Sequence, residues 1–154
     1  ARKLLKKFGK ILGKNNYLVI GFDIRKDKKL MEKAYNDSQG LTAQFNKNIL
    51  KEINRRIGAK FKTQNFEHFA YFNDEEKRIE MHLVSKKDQT VNISDKKIKF
   101  DKGETIHTEN SYKYSIDEFK KLSVASGYKV TDFVTDKNNY FGVFFLKVNK
   151  TWAI

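Results

Sequence analysis

Cysteine is absent from this 154-residue chain, which excludes disulfides, thiolate metal sites and cysteine nucleophiles. Histidine is scarce. His68, His82 and His107 show no metal-ligand spacing, such as a pair four apart on a helix, and each reads first as a structural or surface residue. The glycines, at 9, 13, 21, 40, 58, 103, 127 and 142, are isolated from one another. No G-x-G nucleotide loop or P-loop can be built from them, and no G-x-S-x-G elbow is present. Proline is also absent, and no function follows from that. No apolar run approaches the roughly 18 residues of a membrane span; the longest, at 17–22 and 141–146, are strand-sized. Leu4, Leu5, Phe8, Ile11 and Leu12 sit at helical spacing among lysines with no small-residue cleavage site after them, unlike a signal peptide. A cytoplasmic protein is expected.

What the chain does have is apolar bulk. Hydrophobic residues make up 39% of it and aromatics 14%, with thirteen Phe and seven Tyr, enough for a core and too much for wholesale disorder. The formal net charge of +13 invites a nucleic-acid reading, since a basic surface collects phosphates by releasing counterions. Two features weigh against it. The positive charge is mostly Lys, not the bidentate Arg, and it is interleaved with Asp and Glu along the whole chain instead of forming one arm.

Periodicity predicts the elements. An amphipathic helix over residues 1–12 stops at Gly13, and its uncapped start without Met suggests a chain that begins inside a larger protein. Tyr17–Asp23 reads as a buried parallel strand, so helix, turn and strand form one unit of a doubly wound α/β sheet. Asp27 caps a helix to residue 35 with Leu30, Met31 and Ala34 inward. Turn residues 36–40 precede a longer helix over 41–57, with Leu41, Phe45, Ile49, Leu50, Ile53 and Ile57 at three-to-four spacing. The period then changes to two: Ile79, Met81 and Leu83 share one face, Arg78, Glu80 and His82 the other. Strands follow at 91–93, 98–100 and 105–112. Ser115 and Glu118 form a capping box opening a helix that closes at Gly127, and strands at 129–134 and 140–148 make a terminal hairpin around the turn 136–139.

The densest polar-aromatic stretch is GETIHTENSYKY at 103–114. On a regular strand Glu109 and Ser111 share a face with His107 and Lys113. A carboxylate and a hydroxyl two residues apart can together grip a small donor-bearing ring such as an imidazole, although alternating polar residues are usually a solvated face. Met81 and Tyr35 read equally as packing residues.

The stretches DIRKD at 23–27, AYNDSQGLTAQFN at 34–46, RIEMHLVS at 78–85 and GETIHTENSYKY at 103–114 together resemble the histidine-specific, SAM-dependent methyltransferases, the family that makes trimethylhistidine on the way to ergothioneine. The resemblance runs over essentially the whole chain and corresponds to the family's C-terminal half. It implies an α/β fold: the C-terminal part of a Rossmann-like methyltransferase core (residues 1–25 and 114–154) interrupted by an α+β substrate-binding insert (26–113). It further implies that Glu109 and Ser111 hydrogen-bond a substrate imidazole with Met81 beside it, that Tyr35 holds the α-amino-acid end, and that Thr42, Phe45 and Asn46 line the entrance. The implied reaction moves a methyl group from S-adenosylmethionine to the α-nitrogen of histidine or a related amino acid, mainly by proximity and orientation. No residue is an evident base, and Tyr35 is the only candidate. In the family the SAM-binding glycine loop lies in the N-terminal half, so SAM is expected to bind outside these residues, and the chain alone is expected to be inactive. Expected partners are histidine and either that N-terminal half or a second copy meeting the core edge. A stand-alone amino-acid-binding module is the alternative, with a nucleic-acid binder behind it.

Overall fold

The computed structural model describes residues 1–151. In chain order its elements are α1 (Arg2–Leu12), β1 (Tyr17–Asp23), α2 (Lys28–Tyr35), α3 (Leu41–Ile57), a 3-10 turn (Thr63–Asn65), β2 (Phe66–Asn73), β3 (Arg78–Ser85), β4 (Gln89–Ile93), β5 (Lys96–Phe100), β6 (Thr105–Tyr112), α4 (Ile116–Ala125), β7 (Tyr128–Thr135) and β8 (Phe141–Val148). The chain divides into two compact units. One is built from Ala1–Lys26 together with the residues from Lys113 onward, the other from Asp27–Tyr112.

The first unit is a three-stranded sheet in the order β1-β8-β7 with a core of Leu5, Phe119, Tyr128, Phe144, Leu146 and Val148. The mixed α/β character expected from the sequence holds, and the neighbour that β1 has among the described residues is an antiparallel one. It pairs antiparallel with β8, Tyr17 opposite Lys147 and Asp23 opposite Phe141, and it lies at the sheet edge among the described residues. It is not buried on both faces. Leu18, Ile20 and Phe22 join the core, while Tyr17 and Val19 are each 56% exposed. The side chains alternate between the two faces, and both sets are apolar. Gly142 is where β8 passes close to its neighbours: a Cβ there would meet Ile24 Cδ1 and Phe144 Cε2 at 3.2 Å.

The points where the chain leaves and re-enters this unit lie side by side. Ile24 and Tyr114 form a parallel bridge, and the Arg25 N–H donates to Tyr114 O at 2.8 Å. The Arg25 guanidinium meets the Glu118 carboxylate with both NH groups at 2.9 Å. Glu118 also completes the capping box with Ser115, so one carboxylate fixes both the start of α4 and the crossing.

The second unit is a sheet in the order β2-β3-β6, accompanied by the hairpin β4-β5. Leu50, Phe61, Phe66, Leu83, Val91 and Phe100 fill one core cluster; Met31, Ala70, Phe72, Ile79 and Met81 fill another. Asp27 caps α2 through the Leu30 N–H, as expected. Of the three residues predicted to face inward on α2, only Met31 is buried; Leu30 and Ala34 are exposed. The reason lies in how α2 meets β2, which it borders with polar side chains. Glu32 Oε1 accepts from the Phe72 N–H at 2.9 Å. The Asn36 amide bonds both backbone groups of Ala70, accepting at 3.1 Å and donating at 2.8 Å. Side chains thus satisfy the outer edge of β2, which would otherwise template further strand pairing.

Candidate functional site

The site is set by the pairing of β3 with β6. From Arg78 opposite Tyr112 the ladder is regular to Met81 opposite Glu109, then shifts so that His82 faces His107. Thr108 is the extra residue of a β-bulge, and its hydroxyl donates to Met81 O at 2.9 Å. The bulge corrects the regular-strand expectation. Glu109 and Ser111 lie on the face of Met81 and Ile79, while His107 moves to the face of Glu80 and His82. Lys113 departs from them too: it is buried, and its ammonium pairs with Asp23 at 3.1 Å.

On the face of Met81, the Tyr35 hydroxyl and Ser111 Oγ are hydrogen-bonded at 2.8 Å. Met81 is 2% exposed and packs with Met31 and Ile79, Tyr35 beside them. Phe45, Asn46 and Glu109 line a neighbouring cleft of about 220 Å³ together with Ile49 and Thr108. Phe45 is 63% exposed there. Asn46 is buried on this helix although polar, its amide donating to His68 Nδ1 at 2.9 Å and to His82 O at 3.1 Å. Thr42 sits in the first turn of α3, its N–H bonded to Asp37 at 2.8 Å. The seven residues picked from the sequence therefore fall in two adjoining groups, Tyr35–Met81–Ser111 and Phe45–Asn46–Glu109, with Thr42 at the helix start.

Two residues that sequence reasoning passed over hold this arrangement. Asp37 accepts from the Leu41 N–H as well as from Thr42, and its hydrogen bonds, the Thr42 hydroxyl foremost, hold its carboxyl down at about 2. It caps α3 from four residues ahead, across Gly40 in the left-handed region at φ 69. An acid before Ser-Gln-Gly and a helix was the available signal. The other is His68, whose Nε2 lies 2.8 Å from Tyr35 O.

The opposite face carries a second cluster. Glu80 is 5% exposed and receives Tyr71 OH at 2.8 Å, Asn73 Nδ2 at 3.0 Å, and Arg78 Nε at 2.8 Å, with His82 Nε2 at 3.4 Å. These bonds, Tyr71's first, hold its carboxyl at about 2, and the same contact raises the Tyr71 phenol. Ligand atoms of Glu80, His82 and His107 lie within 4.8 Å of one another, a grouping that linear spacing did not show. It does not suit a metal. The two imidazoles stack at 4.6 Å with only 17° between their planes, so one ion could not lie in both ring planes, where the nitrogen lone pairs point. Arg78 already neutralises the carboxylate at 2.7 Å.

The model of the family described as "Histidine-specific methyltransferase, SAM-dependent" matches residues 1–148. The chain belongs to that family. Similar proteins include the histidine N-alpha-methyltransferase of Mycolicibacterium smegmatis, 36% identical over 82% of this chain, and that of Mycobacterium tuberculosis, 38% identical over 82%. Ergothioneine biosynthesis protein 1 of Schizosaccharomyces pombe is 28% identical over 84%. The chain spans 40% of the length of the two bacterial proteins and 17% of the fungal one. Its dispersed glycines provide no G-x-G loop, so the residues present do not fit a SAM cradle of that kind. Among the described residues no helix is long and apolar enough to cross a membrane.

Proposed function

We propose that this chain is the C-terminal part of a cytoplasmic, SAM-dependent methyltransferase that methylates the α-amino group of histidine, and that its Asp27–Tyr112 unit recognises the amino acid. The observation that carries the reading is the Tyr35–Ser111 hydrogen bond at 2.8 Å, beside Met81 and two positions from Glu109 on one face of β6. Glu109 would accept from the imidazole N–H, the stronger bond because the acceptor is a carboxylate, and the Ser111 hydroxyl would bond the other ring nitrogen. Met81 would pack against the ring, Tyr35 would hold the α-amino-acid end, and Thr42, Phe45 and Asn46 would border the entrance. These residues bind and orient; a neutral amine fixed in one direction is what a methyl donor held elsewhere requires. SAM would be held by an N-terminal half, which would also meet the core edge at β1, the same edge through which a second copy could otherwise associate.

The test is transfer of labelled methyl from SAM to histidine by the complete enzyme, with calorimetry of histidine binding alongside. Glu109→Gln should weaken histidine binding roughly 10- to 100-fold, the worth of one hydrogen bond to a charged group. Unchanged affinity would refute the imidazole assignment. Histidine binding by this chain with no methyl transfer by the complete enzyme would instead favour a stand-alone binding module.

A further inference from the structure

We propose that His68 is a positioning residue for substrate: it fixes Tyr35 through the backbone, in one tautomer, and thereby sets where the Tyr35 hydroxyl meets Ser111. This role rests on the histidine-methyltransferase reading above.

One amide, that of Asn46, fixes the protonation of the His68 ring. Asn46 Nδ2 reaches both His82 O at 3.1 Å and His68 Nδ1 at 2.9 Å. The carbonyl of His82 can only accept, so the group facing it must be the NH2 of Asn46; the flipped amide would set oxygen against oxygen. The same NH2 therefore donates to His68 Nδ1, which must carry a lone pair. The proton of the neutral ring is then on Nε2, 2.8 Å from Tyr35 O, where it donates to a carbonyl that likewise can only accept. Every donor and acceptor in the chain His82 O, Asn46, His68, Tyr35 O is thus assigned without ambiguity. The carbonyl it ends on belongs to the last residue of α2, one residue before Asn36, whose amide grips Ala70. Tyr35 is held at its backbone by His68 and at its hydroxyl by Ser111, leaving its ring little freedom. His68 and Asn46 also link β2 to α3 and to β3, so the three elements that carry Tyr35, Asn46 and Met81 are tied together through the His68 imidazole and the Asn46 amide.

Two measurements test this. In the ring nitrogen NMR spectrum of this chain, His68 should show a pyridine-type Nδ1 and a protonated, pyrrole-type Nε2; the reverse tautomer overturns the proposal. In the complete enzyme, His68→Leu should raise KM for histidine about 3- to 10-fold, the worth of one neutral hydrogen bond, with kcat little changed, as for lost ground-state positioning. His68→Gln, whose amide offers both a donor toward Tyr35 O and an acceptor toward Asn46, should restore most of the loss. A residue that only supported folding would lower the active fraction, and with it kcat, leaving KM unmoved; that outcome overturns the role. Failure of the wild-type enzyme to bind histidine would sink the functional reading and this role with it, and is told apart because the loss precedes any substitution.

Discussion

Replacing Glu80 by Gln isolates the charge at the centre of the β2-β3-β6 sheet. Its carboxylate is 5% exposed and takes bonds from Tyr71, Asn73 and Arg78, the Arg78 guanidinium reaching Oε1 with Nε at 2.8 Å and NH2 at 2.7 Å. Gln keeps an acceptor oxygen for Asn73 and Arg78, and the Tyr71 hydroxyl can rotate to accept from the new NH2, so the hydrogen-bond count survives and the charge is what is lost. Bonds to charged groups contribute about 1.5–3 kcal/mol each against about 1 for neutral ones. With Arg78 and Tyr71 the main partners, the expected cost is about 2–3 kcal/mol at neutral pH. The Glu80 carboxyl sits at about 2 in the fold against 4.5 unperturbed. A lowered value stabilises the fold fully above 4.5, and that contribution is lost as pH falls toward 2. Urea unfolding of wild type and Glu80→Gln should therefore differ by the full amount at neutral pH and converge only as pH falls to about 2. A cost under about 0.5 kcal/mol at neutral pH, or one that stays constant on acidification, would refute the account.

Leu50 is fully buried among Phe61, Phe66 and Leu83, so Leu50→Ala should lose about 2–5 kcal/mol by chemical denaturation. Ile49→Ala beside it, at a position 40% exposed, should cost far less. Ser111→Ala should weaken histidine binding by about 3- to 10-fold in calorimetry while leaving the circular dichroism spectrum of the fold unchanged.

Local rules in the sequence reached far into this fold and stopped at pairing. The ends of α3 at Leu41 and Ile57, the Ser115–Glu118 box and the stop of α1 at Gly13 are all consequences of capping chemistry written within a few residues. The alternation Ile79, Met81, Leu83 likewise declared its buried face. The pairing of β1 with β8 was not legible because a run with large apolar residues on both faces fits either strand direction, and the antiparallel partner lies about 120 residues on. The apolar spacing of α3 told of a helix but not which side faces inward. Leu41, Phe45 and Ile49 stay exposed while the polar Asn46 is buried, because two outward-facing acceptors, His68 Nδ1 and His82 O, wait for its amide. Glu80 and His68 escaped for the same reason: a buried polar residue is identified by partners that sequence spacing does not bring together.

The bulge at Thr108 is the clearest case, and deleting that residue tests how it works. In a regular strand Glu109 would stand beside His107, facing Glu80 and the stacked imidazoles. With the bulge, His107 faces His82 and Glu109 faces Met81, which are consecutive positions on β3. Removing Thr108 makes His107 and Glu109 consecutive on β6 as well. The two strands then match one to one, and every side chain from 105 to 112 keeps its present face. The loss is limited to the Thr108 bond to Met81 O, about 1 kcal/mol, offset in part by a ladder bond that the bulge interrupts. Insertion of one alanine after Glu109 has the opposite consequence, because it must either add a second bulge or turn Ser111 away from Tyr35. The deletion variant should therefore fold cooperatively with a denaturation midpoint near wild type, while the insertion variant should be destabilised and lose histidine affinity. Equal damage from both would mean that the bulge itself, and not the assignment of faces it permits, is what the strand requires.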